Sequence, residues 1–177
     1  MIGLEKYLPS DRDTWQWRLA QLSDVPAIVA MAEKHFQLEM EQIITPDPAL
    51  FARNIAIAVV TQMHSLTQEQ VLVARDKNTD QLQAWTWISR GIFTPYSQDE
   101  MAEAKFIHCD LTLPLRSRIT ITAQALQQWY LWCMIGNIPV LVSSSIRSEQ
   151  SAFMRLHETA GFSVRGSTAY IRIDHVQ

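Results

Sequence analysis

The amino-acid sequence predicts an α+β fold with elements in the order β-α-α-β-β-β-α-β-α-β-β. Three observations predict it. Short runs alternate apolar and polar residues with period two, longer stretches repeat apolar residues at helical spacing, and turn or cap residues mark nearly every junction. A chain of 177 residues suits one domain, residues 1–177, long enough to bury a layered core without staples.

Trp15-Gln-Trp-Arg-Leu-Ala alternates large apolar and polar residues and predicts the first strand, ended by Ser23 and Asp24. A helix follows, with Pro26 tolerated in its first turn and Ile28, Met31, Ala32, His35 and Phe36 at helical spacing. The second helix starts at Asp47 as cap and Pro48 as first residue, with Phe51, Ile55, Ala58 and Val59 on one side. Gln70-Val-Leu-Val-Ala-Arg and Gln81-Leu-Gln-Ala-Trp-Thr-Trp-Ile-Ser predict a hairpin closed by Asp76-Lys-Asn-Thr-Asp80.

A loop holding Pro95 and the acidic residues through Glu103 is expected next. In the strand predicted over Phe106–Leu113, Ile107, Cys109, Leu111 and Leu113 take one face, and Phe106, His108, Asp110 and Thr112 the other. Pro114 ends it, and a helix is predicted from about Ile119 to Ile135, stopped by Gly136 and Asn137. Pro139-Val-Leu-Val-Ser reads as a buried strand. The last helix runs from about Ser148 to Ala160, with Gly161 as its stop. Phe162-Ser-Val and Ala169-Tyr-Ile-Arg-Ile, around an Arg165-Gly-Ser turn, complete the order.

Composition narrows the function classes. Hydrophobic residues make up 47% and charged residues 19%, with no apolar stretch near the ~18 residues of a membrane span. No membrane association is expected, and the start lacks the basic-then-apolar order of a secretory signal, so a cytoplasmic location is expected. A net charge of −3 with scattered basic residues argues against nucleic acid. Cys109 and Cys133 lie outside any Cys-x-x-Cys pairing and read as buried small hydrophobes, and the five histidines show no metal-ligand spacing. No metal is expected. The tryptophans paired one residue apart, Trp15 with Trp17 and Trp85 with Trp87, share a face on their strands and read as core, with an aromatic substrate groove at Trp85 and Trp87 as the other reading.

With Leu156-His-Glu-Thr-Ala-Gly-Phe162 closing the last helix, this element order resembles the GNAT superfamily of N-acetyltransferases, in which a helix commonly ends on Tyr-x-x-x-Gly-Phe. The resemblance covers nearly the whole chain and implies an α/β/α layered fold around a mixed, largely antiparallel sheet. A second anchor is Arg118-Ile-Thr-Ile-Thr-Ala123, matching the family's Arg/Gln-x-x-Gly-x-Gly/Ala, with Leu126 following. By resemblance this junction grips the coenzyme A pyrophosphate, with Leu111, Leu113, Arg116, Arg118, Ile119, Thr120, Ile121, Thr122 and Ala123 as cofactor-binding residues and acetyl-CoA as co-substrate. The physical basis is the free amides and positive dipole end of a helix start, reinforced by arginine. Ile121 departs from the pattern: it stands where the family's first glycine allows close approach of a phosphate, and its alternative role is core packing on a stripe with Ala125 and Trp129.

Acyl transfer from a thioester to an amine requires a base, donors for an oxyanion and an acid for the thiolate. The resemblance places the base near the fourth strand, where Asp110 and then His108 are the candidates; a solvated face or a structural hydrogen bond is the competing reading. His157 occupies the position of the family's acid tyrosine, and packing beside Phe153, Leu156 and Ala160 is its alternative. Ser143-Ser-Ser145 read as loop polars that can hydrogen-bond a pantetheine arm. The expected activity is N-acyl transfer from acyl-CoA to a small-molecule or peptide amine, with a homodimer left open. The alternative is a catalytically silent GNAT-shaped binding or structural protein.

Overall fold

The computed structural model describes residues 3–10, 13–39, 44–145 and 151–165. Strand β1 (Trp15–Leu19) leads through a short turn at Leu22–Asp24 to helices α1 (Val25–Glu39) and α2 (Pro48–His64). Strands β2 (Glu69–Asp76), β3 (Leu82–Ile92) and β4 (Met101–Cys109) follow, then helix α3 (Leu115–Ile135), strand β5 (Val140–Ser143) and helix α4 (Ser151–Thr159). The five strands form one sheet in the order β1-β2-β3-β4-β5, antiparallel except for the parallel β4–β5 pair. This is the mixed, largely antiparallel sheet that the resemblance implied.

Cap chemistry sets several boundaries where the sequence indicates. The Asp47 carboxylate accepts from the Leu50 amide at 2.9 Å, with Pro48 at the start of α2. Asp76 folds the β2–β3 turn by accepting from the Asn78 and Thr79 amides, and Asp80 takes a positive φ of 56°. Gly161 ends α4 at φ 91°, a conformation that costs glycine little.

Helices cover both faces of the sheet. On one face, Ile28, Ala32 and Phe36 of α1 and Phe51, Ile55 and Val59 of α2 pack on Val71, Val73, Trp85 and Trp87. On the other, Ala123, Leu126 and Trp129 of α3 pack on Ile88, Ala102 and Ala104. Trp15 and Trp17 both face α3, and both indole N–H groups donate to the buried Gln124 Oε1 at 2.9 Å. Trp85 is fully buried and Trp87 nearly so, so both pairs serve the core. Gln62 ties α2 to the sheet by donating to the Ala20 carbonyl and accepting from the Val71 amide, each at 2.8 Å.

Three boundaries differ from the sequence reading. Strand β4 begins at Met101, inside the expected acidic loop, because Ala102 and Ala104 bury against α3 while Glu103 and Lys105 point away from it. It ends at Cys109 and not Leu113. Asp110 bends the chain there, accepting from the Thr112 amide at 2.9 Å and the Thr112 hydroxyl at 2.8 Å, a side-chain turn that competes with the strand ladder. Helix α3 starts at Leu115 and not Ile119, because Pro114 with φ −53° leads directly into the first turn and its carbonyl accepts from the Arg118 amide. The strand expected at Phe162-Ser-Val is not formed. The start of the last helix at Ser148, the turn beyond Arg165 and the strand expected over Ala169–Ile173 lie outside the described residues.

Candidate functional site

The behaviour of β4 changes along its length. Up to Ala104 it lies between β3 and β5; beyond the Ala104–Ser143 pair it continues along β3 to Cys109 without its parallel neighbour. Two local causes part the strands. Trp87 faces Phe106 while Ile88 faces Ala104, leaving Lys105 as the extra residue of a bulge, and a bulge bends its strand and increases the twist. Strand β5, for its part, stops at Ser143.

The gap is a cavity of about 730 Å³, in the size range of small-molecule and cofactor sites. Residues Ala104 to Cys109 line one wall and Ser143 to Ser145 the other, with Arg118 and Thr122 of α3 and Phe153 of α4 closing the α3 side.

At that side the cavity meets the start of α3. The amides of Leu115, Arg116 and Ser117 precede the first helical bond, from Arg118 N to the Pro114 carbonyl at 3.1 Å. Free amides and the positive helix end together favour an anion. Arg118 lines the cavity, and its Nε is buried without a hydrogen-bond partner. A phosphate oxygen supplies the missing acceptor, so these groups fit the diphosphate of coenzyme A.

The predicted cofactor residues divide accordingly. Leu111, Arg118, Ile119 and Thr122 line the cavity; Leu113, Arg116, Thr120, Ile121 and Ala123 do not. The one-turn displacement of the helix start is the cause: Ile119 to Ala123 sit inside the helix, and the free amides belong to Leu115–Ser117. Ile121 is fully buried against Trp15, Ala74, Ala84 and Cys109, so it packs on the sheet and does not cross the opening.

The opposite side of the cavity holds two histidines. His108 of β4 and His35 of α1 stack with ring centroids 4.2 Å apart and planes 8° from parallel. Both are buried, both line the cavity, and His35 Nε2 donates to the Cys109 carbonyl at 2.8 Å. Trp85, Phe36 and Phe106 surround His108 edge-on. Asp110 is not part of this wall; its Oδ1 accepts from the amide and hydroxyl of Thr112 in the turn that follows β4. In the sequence His35 is a member of an apolar helical stripe with Ile28, Met31, Ala32 and Phe36. A polar residue on a buried face was the available signal.

His157 is also buried and does not line the cavity, though its hydrogen-bond partner Ser143 does. Burial pushes its imidazole below the usual 6.5, while a hydrogen bond to the Phe153 carbonyl pulls the other way. Below about pH 6.5 the unfolded chain binds a proton that the folded ring resists. The contribution of His157 to stability is therefore complete above that pH and is lost as pH falls through the lowered folded value. Denaturant melts stepped from about pH 8 to about pH 5 are expected to show declining stability, with a shallower decline in His157→Gln.

Among the described residues, no group of three or more His, Cys, Asp and Glu could hold a metal ion, and no helix is long and apolar enough to cross a membrane.

No protein-family model matches the sequence, and no curated protein matches it. Solved structures do match the fold. The chain is similar to a predicted acetyltransferase from Clostridium acetobutylicum solved with acetyl-CoA, at TM-score 0.67 and 13% identity over 92% of this chain and 99% of that one. It is similar to a putative acetyltransferase from Salmonella typhimurium with its cofactor acetyl-CoA (0.65, 16%, 87% and 82%). An aminoglycoside antibiotic 6'-N-acetyltransferase from Acinetobacter baumannii matches likewise (0.63, 15%, 89% and 96%). The fold is that of the GNAT acetyltransferases.

Proposed function

We propose that this protein transfers an acyl group from an acyl-coenzyme A to an amine in the cavity between β4 and β5. The observation that carries this reading is the parting of those strands beyond Ala104 and Ser143, which joins an anion-binding helix start to a buried histidine pair. That neighbours with this fold include a predicted and a putative acetyltransferase solved with acetyl-CoA supports it.

The residues present suffice for the chemistry. The amides of Leu115–Ser117 and Arg118 hold the diphosphate, and the groove between the strands orients the thioester. His108 is placed to take the proton from the attacking ammonium, and His35, anchored on the Cys109 carbonyl, holds the His108 ring in its stack. Main-chain amides of β4 that β3 does not use are the donors available to the developing oxyanion. Enclosure among Phe36, Trp85 and Phe106 strengthens these interactions by excluding water. Ile121 is fully buried and does not obstruct the helix start, which favours this reading over a catalytically silent protein at that one position; histidine in place of the family's acid tyrosine, at His157, is the other ground for the silent alternative.

Acetyl-CoA at about a hundred times its dissociation constant is expected to stabilise the fold by roughly 2.7 kcal/mol in a thermal melt. Arg118→Ala is expected to weaken that binding about tenfold, the loss of one charge-assisted hydrogen bond. With a broad amine panel, free thiol should appear above background. No melting shift together with no thiol release overturns the reading.

A further inference from the structure

Ser143 and His157 form a pair that the acyl-transfer chemistry above leaves unused. The Phe153 carbonyl can only accept, so His157 Nδ1, 2.9 Å away, carries a proton. In the uncharged ring Nε2 is then a bare lone pair, 2.9 Å from Ser143 Oγ. The serine hydroxyl therefore donates to the histidine. A hydroxyl, an imidazole that receives its proton and a third group that fixes the imidazole is the arrangement that activates a serine nucleophile.

The surroundings agree with that assignment. Phe153 and Phe162 flank the imidazole, with ring centroids at 4.2 and 4.9 Å, and turning the ring breaks both hydrogen bonds. His157 is 2% exposed, whereas Ser143 lines the cavity, so the base is shielded while the hydroxyl is open to a substrate. Burial favours the uncharged, proton-accepting ring. Ser143 is the last residue of β5, paired in register with Ala104 at the point where β4 departs.

Relying on the acyl-CoA reading only for the identity of the thioester, we propose that Ser143 is a nucleophile that takes the acyl group onto its own oxygen, with His157 as its base. The Ser143 Oγ–acyl carbon bond forms and the acyl carbon–sulfur bond breaks. The hydroxyl proton passes to His157 Nε2 and then to the departing sulfur, which leaves as free thiol. An amine or water attacks the resulting ester, releases the acyl group and returns a proton to Oγ. The protein is thus a two-step acyltransferase that hydrolyses thioesters and activated esters when no amine is present.

The test treats the full chain with p-nitrophenyl acetate, with acetyl-CoA and with an ethyl fluorophosphonate probe, followed by intact mass and peptide mapping. The fluorophosphonate loses fluoride and stays on the oxygen, so rapid deacylation cannot conceal the site. Expected are one adduct per chain on Ser143, its loss in a Ser143→Ala protein that still melts as a single cooperative fold, and at least tenfold slower labelling in His157→Gln. The labelling rate should rise with pH and reach half its maximum below the 6.5 of an ordinary histidine. Adducts on lysines alone, or equal labelling of Ser143→Ala, overturn the proposal. Labelling of Ser143 by the ester and the phosphonate without any response to acetyl-CoA keeps the nucleophile and sinks the coenzyme A reading. A melting shift with acetyl-CoA and an unmodified Ser143 does the reverse.

Discussion

His108→Gln is expected to slow amine acylation by about 10²–10⁴-fold, the usual contribution of a positioned general base, while leaving affinity for acetyl-CoA unchanged. The asymmetry follows from the geometry. His108 lies at the histidine end of the cavity, and the helix start that binds the diphosphate lies at the other, so the two functions separate. Glutamine keeps the size and polarity of the side chain in its slot between His35, Trp85 and Phe106, which guards against a rate loss caused by collapse of the wall. Single-turnover rates at saturating acetyl-CoA, with melting curves beside them, are the measurement. A change of less than about threefold at unaltered stability removes His108 as the base, since that is well below what proton transfer contributes.

Asp24→Ala is expected to destabilise the fold by about 3 kcal/mol, the lower end for breaking a buried ion pair because Arg18 retains partial access to water. Asp24 is buried and meets two arginines at once. Arg18 grips it through both terminal nitrogens at 2.7 and 2.9 Å, Arg75 donates through Nε at 2.9 Å and Nη2 at 2.6 Å, and the Gln21 amide adds a fifth bond at 2.8 Å. Burial pushes the carboxyl up, but hydrogen bonds from Arg18, Gln21 and Arg75 outweigh it and hold the group below the ordinary 3.8. Its stabilisation is therefore complete above that value and is lost as pH falls through the lower folded one. Removing the carboxylate leaves the Arg75 guanidinium largely buried and without its main partner. In a chain of this length the melting temperature should fall by about 6–12 °C. A fall of under about 2 °C shows that water satisfies both arginines and that the cluster contributes little.

The two predictions meet in α1. Asp24 sits immediately before that helix and fixes its entry against β1 and β2, and the same helix carries His35 to the face of His108. Loosening the Asp24 cluster should therefore disturb the histidine stack before it unfolds the sheet.

Local chemistry made much of the fold legible. The alternating run of β1, the β-rich runs of β2 and β3 and the Asp47–Pro48 start of α2 act within a few residues, as do the Asp76–Asp80 turn and the Gly161 stop, so composition and spacing were sufficient for them. Boundaries with weak or contested local signals were set instead by packing. Ala102 and Ala104 are poor strand formers among acidic neighbours, and they join β4 because burial against α3 and pairing on both sides override propensity. Asp110 alternates correctly with His108, yet its carboxylate competes for the chain's own amides and ends the strand. That bend brought the α3 start forward and moved the free amides from Ile119–Ala123 to Leu115–Ser117.

The sequence by itself determined the class of fold and the order of its elements through α4, while the choice between core and site for Ile121 and for Trp85 and Trp87 was settled by packing. Tertiary structure alone decided the site. His35 and His108 are 73 residues apart, and Ser143 and His157 are 14 apart on different elements. Neither pairing has a periodic signature, because both arise from how two faces of one sheet are covered and from where two parallel strands separate. Periodicity reports which side of an element is buried; which polar groups then meet across the interior depends on packing between segments that are distant in the chain.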